Sequence, residues 1–159
     1  MLKAPLYIFD LDGTIALIDH RRSIVDPQRK PTKEDWMRFY LMCPLDEPNL
    51  PVIKTMMSLY ERGCDIRIWS GRDEIAKELT IAWLSHYTES PRHRVEGWLQ
   101  YMRPNGDTTP DHQLKRKWLN AMSPTERARL VGVFDDRNKV VNMWREAGVA
   151  CFQVAPGDF

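Results

Sequence analysis

The spacing of apolar residues along the chain predicts strands and helices in alternation. Leu6 to Phe9 is a short apolar and aromatic run that ends at Asp10, which is typical of a buried strand with polar residues at its carboxyl end. Val131 to Phe134 has the same character and ends at Asp135 and Asp136. Both runs therefore predict buried strands that deliver carboxylates to one edge of a sheet.

The remaining elements follow the same alternation. The other predicted strands are Asp65 to Trp69, a run within Val95 to Met102, and Val149 to Val154. The predicted helices are Val52 to Arg62, Asp73 to His86, Asp111 to Met122, a short helix from the Ser123 cap to Leu130, and Asn138 to Ala147. This order predicts an α/β fold with a mostly parallel sheet flanked by helices, whose ligands bind at the carboxyl ends of the strands.

Residues 17 to 51 interrupt the alternation. They contain five of the eleven prolines and one helical stretch, Glu34 to Met42. This segment is too short for a domain of its own and follows the first strand directly. We therefore expect one domain over residues 1–159, with 17–51, the cap insertion, acting as a small lid.

Composition adds two constraints. The chain has 159 residues with 43% hydrophobic and 28% charged residues, which is typical of a globular protein. The net charge of +1 excludes a global electrostatic attraction to nucleic acid. A local basic stretch does occur within the cap insertion: residues 20–33 contain a single acid, Asp26, against Arg21, Arg22, Arg29, Lys30 and Lys33.

The chain is also expected to be soluble. Its apolar runs are far shorter than a bilayer requires, and Asp10 and Asp12 interrupt the apolar start, Met1 to Phe9, which therefore does not resemble a signal peptide. We expect a cytoplasmic protein, in the host cytoplasm if the chain is phage-encoded. Its cysteines lack metal-site spacing and are expected to be buried free thiols: Cys43, Cys64 and Cys151.

The run after the first strand has the residues that phosphoryl transfer needs. A phosphate monoester resists attack, so its hydrolysis needs a nucleophile, an acid and positive charge together. Asp10 can attack phosphorus, and Asp12 can protonate the leaving oxygen and later deprotonate water. Gly13 permits a tight turn, and the Thr14 hydroxyl can hold phosphate oxygens. The alternative is an ordinary turn at the end of a strand.

Carboxylates gathered at one edge require a counter-charge. Clustered acids raise one another's pKa values, so an ionised nucleophile needs a divalent cation and a nearby lysine. Mg²⁺ suits such an oxygen-rich site. Its candidate ligands are Asp10, Asp12, Asp135 and Asp136. Lys115 is the candidate lysine, although the spacing does not decide between it and its basic neighbours Arg116 and Lys117.

Other polar residues allow two interpretations each. Ser70 can hydrogen-bond a phosphoryl oxygen or cap the following helix. Arg72 can bind a second phosphate, or pair with Asp73 or Glu74 at the surface. The histidines at 20, 86, 93 and 112 lack metal-ligand spacing. The six tryptophans are core candidates, except that Trp36 in the cap insertion could stack on a base.

The order of these motifs resembles the haloacid dehalogenase (HAD) superfamily. The residues that carry the resemblance are Asp10-x-Asp12-Gly13-Thr14, Ser70-Gly71-Arg72, Lys115 and Asp135-Asp136. The segments 103–115 and 135–159 are similar to the 3′-phosphatase domain of phage polynucleotide kinase. This resemblance implies a Rossmann-like HAD fold and a phosphatase that acts on 3′-phosphorylated DNA or RNA ends.

The resemblance also implies roles for individual residues. It assigns Asp10 as nucleophile and Asp12 as acid and base, and it selects Lys115 over its neighbours. The residues expected to contact phosphate or substrate are Thr14, Ser70, Gly71, Arg72, Arg103, Asp111 and Lys115. The bifunctional members of the family carry a kinase phosphate-binding loop, and the sequence contains no such run, so a phosphatase without its kinase is expected.

Other functions remain open at this point. A phosphatase of mononucleotides or other small phosphomonoesters would use the same residues. A non-catalytic module that binds nucleic-acid ends would not need the complete set of acids. A dehalogenase is disfavoured, because release of a halide needs no acid and Asp12 would have no purpose.

Overall fold

A computed structural model describes residues 3–159. Met1 and Leu2, with which the apolar start and the expected domain begin, lie outside the described residues. The strands are β1 Leu6–Phe9, β2 Ala16–Leu17, β3 Glu47–Pro48, β4 Asp65–Asp73, β5 Leu99–Arg103, β6 Leu130–Asp135 and β7 Cys151–Gln153. The helices are α1 Asp19–Arg22, α2 Lys33–Leu41, α3 Leu50–Glu61, α4 Lys77–Tyr87, α5 Arg92–Trp98, α6 Asp111–Asn120, α7 Pro124–Arg129 and α8 Asn138–Glu146.

A parallel sheet with the order β5-β4-β1-β6-β7 forms the centre of the fold. β1 lies in the middle and pairs with β4 on one side and β6 on the other. Its side chains Leu6, Ile8 and Phe9 are buried, which explains its nearly continuous apolar sequence. The predicted α/β architecture is therefore confirmed.

Helices cover both faces of the sheet. Ile8 and Phe9 are neighbours on β1 and point to opposite faces, so they belong to two separate cores. The Phe9 core includes residues of α3, α4 and α5, whereas the Ile8 core includes residues of α6 and α8. Five tryptophans are buried, as expected: Trp69, Trp83, Trp98, Trp118 and Trp144.

The cap insertion leaves the sheet edge between β1 and α3. Its base is closed by β2 and β3, which pair as antiparallel strands with Ala16 opposite Pro48. Short 3₁₀ turns connect α1 to α2, and α2 starts at a capping box formed by Thr32 and Asp35. The helix predicted from the sequence is thus present, over Lys33–Leu41 rather than Glu34 to Met42.

Two element predictions were wrong in detail. The helix expected from Asp73 begins at Lys77, because β4 continues to Asp73, which pairs with Arg103 on β5. The strand expected within Val95 to Met102 takes up only the second half of that range, because Val95 to Trp98 end α5, where Val95 and Trp98 are buried together at the three-residue spacing of one helix face. The strand β5 begins at Leu99.

Two smaller expectations can also be compared with the structure. All three cysteines are unpaired, but Cys43 alone is buried and the thiols of Cys64 and Cys151 are half-buried. Within residues 3–159, no helix has both the length and the apolar character needed to cross a bilayer.

Candidate active site

The carboxyl ends of three neighbouring strands bring the predicted motifs together. β1 ends before Asp10, β4 includes Ser70, and β6 ends at Asp135, followed by Asp136. Lys115 reaches the same point from α6. The candidate catalytic residues therefore converge where parallel sheets normally bind ligands.

The turn after β1 fixes the direction of the Asp10 carboxylate. The Asp10 N–H donates to the Phe134 carbonyl at 2.9 Å, and the Thr14 hydroxyl donates to Asp10 Oδ2 at 2.9 Å. Gly13 has a φ of +85°, and a Cβ at this position would lie 2.1 Å from Asp136 Oδ2. Only glycine fits this turn, for reasons of both conformation and space.

Asp10, Asp135 and Asp136 form an acid cluster. Each offers a carboxylate oxygen, and these oxygens all lie within 4.8 Å of one another. Lys115 Nζ donates to Asp10 Oδ1 at 2.7 Å and to Asp135 Oδ2 at 2.9 Å. Its side chain is 1% exposed, so Lys115 is the buried counter-charge of the cluster.

Burial and mutual repulsion control the pKa values in this cluster. Burial, together with the charge of Asp135, raises the pKa of Asp10 well above its ordinary range, although Lys115 opposes the shift. Burial followed by the charge of Asp135 raises the pKa of Asp136 to about 7. Burial alone would lower the pKa of Lys115, but the surrounding carboxylates outweigh it and raise that pKa.

This cluster suits a divalent cation. The oxygens of Asp10, Asp135 and Asp136 are hard donors gathered at close range, and one lysine does not balance three carboxylates. The Asp12 side chain is directed elsewhere, towards two arginines, and is not one of these donors. The chemistry of the three remaining carboxylates therefore fits a bound metal such as Mg²⁺.

Arg21 and Arg72 hold the Asp12 carboxylate. Arg21 Nη2 donates to Asp12 Oδ1 at 2.9 Å, and Arg72 donates to the same oxygen through Nε, at 3.1 Å, and Nη2. Burial would raise the pKa of Asp12, but the two guanidinium groups outweigh it and lower that pKa. Both arginines are buried, whereas 19% of the Asp12 side chain remains exposed.

Asp46 anchors this pair of arginines and was missed from the sequence. It accepts from Arg21 Nε at 2.7 Å and from Arg72 Nη2 at 3.0 Å, and its Oδ1 lies 2.8 Å from His20 Nε2. Asp46 is 2% exposed although it lies in a connection of the cap insertion, between a 3₁₀ turn and β3. A lone aspartate in a proline-rich segment gives no local signal of burial, so only the folded chain reveals its partners.

The burial and hydrogen bonds of Arg72 and Ser70 decide between the alternatives that the sequence left for each. Arg72 is 1% exposed and pairs with Asp12 and Asp46, so the alternative of a surface pair with Asp73 or Glu74 was wrong. The Ser70 hydroxyl is buried on β4 and accepts from the Arg72 N–H at 3.1 Å. It does not cap a helix, since α4 begins seven residues later.

The remaining predicted residues form the side of the site next to β5. Arg103 Nε donates to the Gly71 carbonyl at 2.7 Å, and Arg103 Nη1 donates to carbonyls of the following loop. Asp111 Oδ2 lies 3.4 Å from Lys115 Nζ, whereas its Oδ1 is buried without a hydrogen-bond partner. A Cβ on Gly71 would lie 2.1 Å from that Oδ1, so glycine is required where β4 passes Asp111.

A cleft of about 1230 Å³ opens beside these residues. Asp10, Asp12 and Asp136 contribute to its lining, together with residues of α2 and of the loop between β5 and α6. The basic stretch does not form one surface along it. Arg21 is buried in ion pairs, Arg22 and Lys33 line the cleft, and Arg29 and Lys30 do not.

Comparison with known proteins identifies the family. The sequence model described as the polynucleotide kinase PNKP phosphatase domain, of the HAD type, matches residues 4–159. The chain belongs to the PNKP phosphatase family. The resemblance, the HAD fold and the assignment as a phosphatase are therefore confirmed.

Individual relatives of this PNKP-type phosphatase are longer proteins. A protein of Autographa californica nuclear polyhedrosis virus, named as a bifunctional polynucleotide kinase/RNA ligase, is 31% identical over 140 residues, which are 86% of this chain and 17% of the relative. A chain in the structure of the Pnkp1/Rnl/Hen1 RNA repair complex is 29% identical with a TM-score of 0.75, and the match covers 98% of this chain and 44% of that chain. This chain thus spans less than half the length of either relative.

A more distant structure shares the fold. The class C acid phosphatase from Bacillus anthracis is 15% identical with a TM-score of 0.64, and the match covers 99% of this chain and 68% of that chain. At this identity the likeness shows the arrangement of sheet and helices alone.

Proposed function

We propose that this domain is a Mg²⁺-dependent 3′-phosphatase of DNA or RNA ends that works through an aspartyl-phosphate on Asp10. One observation carries the proposal: the Asp10 carboxylate lies 2.7 Å from the buried Lys115 ammonium, within an acid cluster that lines an open cleft. A nucleophile, a cation site and access for a substrate are thus combined at one place.

In the first proposed step, a carboxylate oxygen of Asp10 attacks phosphorus and the bond from phosphorus to the leaving oxygen breaks. Lys115 holds the Asp10 carboxylate in place and offsets the charge of the incoming phosphate. A bound Mg²⁺ held by Asp10, Asp135 and Asp136 would supply further positive charge for the phosphoryl group.

Asp12 is proposed to move the protons. Its pairing with Arg21 and Arg72 favours the ionised form when the cleft holds no substrate. A dianionic phosphate that competes for these guanidinium groups would weaken this pairing and favour protonated Asp12, which then donates to the leaving oxygen. The resulting carboxylate takes a proton from the water that attacks the aspartyl-phosphate, which releases phosphate and restores Asp10.

The family supports the choice of substrate. A phosphatase related to polynucleotide kinases meets nucleic-acid ends, and one structural relative belongs to a complex named for RNA repair. We further propose that Thr14, Ser70, Gly71, Arg72, Arg103 and Asp111 shape the phosphate site, and that residues 17–51 act as its cap within one domain. The cytoplasmic location expected from the sequence stays a proposal as well.

A second candidate is a phosphatase of mononucleotides or other small phosphomonoesters. The lining of the cleft favours it, because the carboxylates there outnumber the cationic side chains. Such a lining offers little attraction for a long polyanion beyond the reacting phosphate.

Phosphate release from matched substrates distinguishes the two candidates. The assay compares one oligonucleotide carrying a 3′-phosphate, the same oligonucleotide carrying a 5′-phosphate, and nucleoside 3′- and 5′-monophosphates, all with Mg²⁺. We expect the highest kcat/KM for the 3′-phosphorylated oligonucleotide and loss of release in Asp10→Asn, but not in Glu61→Gln, which changes an exposed acid on α3. Equal or faster release from the 5′-phosphorylated oligonucleotide would overturn the 3′-end proposal, and faster release from the mononucleotides would favour the second candidate.

A further inference from the structure

One face of α2 lines the cleft beside the acid cluster. Lys33, Trp36, Met37 and Tyr40 recur at the spacing of a single helix face, and all four contribute to the lining. Trp36, Met37 and Tyr40 are referred to below as the aromatic face of α2. The cleft thus continues from the carboxylates into an apolar and aromatic wall.

This wall is exposed although its residues are apolar. Trp36 is 40% exposed and Met37 is 42% exposed, whereas the other tryptophans of the chain are buried. Phe39, on the same turn and also at the edge of the cleft, is only 6% exposed, and its ring centroid lies 4.3 Å from the guanidinium carbon of Arg21. The helix therefore buries Phe39 against Arg21 and leaves Trp36 and Met37 exposed in the cleft.

The exposed rings are held in place by their neighbours. The Trp36 ring lies 5.8 Å from the Phe39 ring in an edge-on arrangement and 5.9 Å from the Tyr40 ring at an angle of 33°. Because Phe39 is itself packed against Arg21, the ring of Trp36 is connected to the residue that holds Asp12. A partner that stacks on Trp36 would thus lie at a defined position relative to the site.

The chemistry of the wall indicates which kind of group binds against it. Any substrate of the acid cluster carries a phosphate, so the group that meets the wall is the one attached to that phosphate. Proteins bind the bases of single-stranded nucleic acid without sequence preference through aromatic side chains beside cationic groups. Lys33 supplies the cation on this face. The volume of about 1230 Å³ also exceeds what phosphate alone would occupy.

We infer that the aromatic face of α2 is a platform on which the base of the 3′-terminal nucleotide stacks, with Trp36 as its principal ring. The inference rests on the proposed function, because it identifies the group that the cleft receives together with the 3′-phosphate. Trp36 then contributes to substrate affinity rather than to the reaction at phosphorus, and it accepts all four bases because each has a stacking face.

A comparison of substrates with and without the terminal base tests the platform. One oligonucleotide ends in a nucleoside 3′-phosphate, and its match ends in a 3′-phosphorylated abasic sugar. For the wild-type protein we expect loss of the base to raise KM roughly 5- to 100-fold with little change in kcat, which is the range of stacking on one aromatic ring. Trp36→Ala should raise KM for the base-bearing oligonucleotide and remove most of the difference between the two substrates.

Matched variants separate stacking from a disturbed helix. Trp36→Phe keeps a ring and should keep most of the dependence on the base. Leu41→Ala changes a residue of α2 that is 42% exposed and does not line the cleft, so the ratio of the two KM values should equal that of the wild type. Hydrolysis of glycerol 2-phosphate, which has no base, should be the same in Trp36→Ala as in the wild type.

Three results would overturn this inference. One is an unchanged ratio of the two KM values in Trp36→Ala, and another is an equal loss of glycerol 2-phosphate hydrolysis in that variant. Either can occur while 3′-phosphates are still released, so the proposed function would stand. The third is a wild-type protein that releases no phosphate from either oligonucleotide, which would overturn the proposed function as well.

Discussion

At the scale of single residues, the structure separates Lys115 from its basic neighbours. Residue spacing left the choice open between three adjacent cations, the family resemblance selected Lys115, and the helix they share gives the physical reason. Lys115 lies on the buried side of α6, with Leu114, Trp118 and Leu119, whereas Arg116 and Lys117 are exposed. The apolar positions on either side of it already indicate this face, but its contacts with Asp10 and Asp135 rather than Asp12 come from the folded chain.

Two single variants, Lys115→Met and its control Lys117→Met, test the role of Lys115 as counter-charge. Removing Lys115 leaves buried carboxylates without their cation, and we expect the free energy of unfolding to fall by about 3 kcal/mol. The free energy of unfolding of Lys117→Met should lie within about 0.5 kcal/mol of the wild-type value, as is usual for surface substitutions. Urea denaturation at neutral pH in the presence of a chelator measures both.

The same two variants should differ in activity. Phosphate release should fall by roughly a hundredfold or more in Lys115→Met, as when other groups that stabilise developing charge are removed. Equal stability and equal turnover of the two variants would contradict the position of Lys115 in the site.

At the scale of elements, the strand ends were predictable and the interior of the cap insertion was not. The apolar runs that end at Asp10 and Asp135 indicate their own position at the edge of a parallel sheet. Asp46 gives no such signal, because its partners, Arg21 and Arg72, are 25 and 26 residues away. Ion pairs over this distance are decided by the packing of the insertion and not by local spacing.

The wrong boundaries predicted for the elements near Asp73 and Val95 also result from contacts between elements that local sequence does not show. β4 extends past the apolar core to Asp73 because β5 provides a pairing partner, which the sequence of β4 does not show. Residues of α5 resemble a strand because their apolar side chains are few and the helix is short. The contacts between elements thus corrected what local patterns had suggested.

Asp46→Asn tests whether the cap insertion orders the catalytic centre. The amide would face guanidinium groups without a charge to pair with them, and we expect the free energy of unfolding to fall by about 3 kcal/mol. We also expect kcat to fall roughly tenfold or more, because Arg21 and Arg72 would lose the anchor that directs them to Asp12.

Glu47→Gln is the matched control for this change. It neutralises the adjacent carboxylate, which is exposed on β3, and should leave stability and kcat near the wild-type values. Identical behaviour of the two variants would show that Asp46 does not order the site.

At the scale of the whole molecule, the fold joins the carboxyl edge of a parallel sheet to an insertion that faces it. The sheet supplies Asp10, Ser70 and the acid pair at the end of β6, while the insertion supplies Arg21, Asp46 and the wall containing Trp36. The small net charge of +1 is consistent with recognition by this local arrangement rather than by an overall basic field. The sheet is thus proposed to supply the reacting groups, and the insertion to orient Asp12 and to receive the base of the substrate.

The most direct test of the proposed reaction is to trap the phosphoryl group on the protein. The measurement uses an oligonucleotide with a radiolabelled 3′-phosphate, Mg²⁺, a rapid acid quench and peptide mapping of the labelled protein. We expect acid-stable label in the peptide that contains Asp10 of the wild-type protein, and neither label nor turnover in Asp10→Asn. Label on another residue, or turnover that survives in Asp10→Asn, would contradict the proposed reaction.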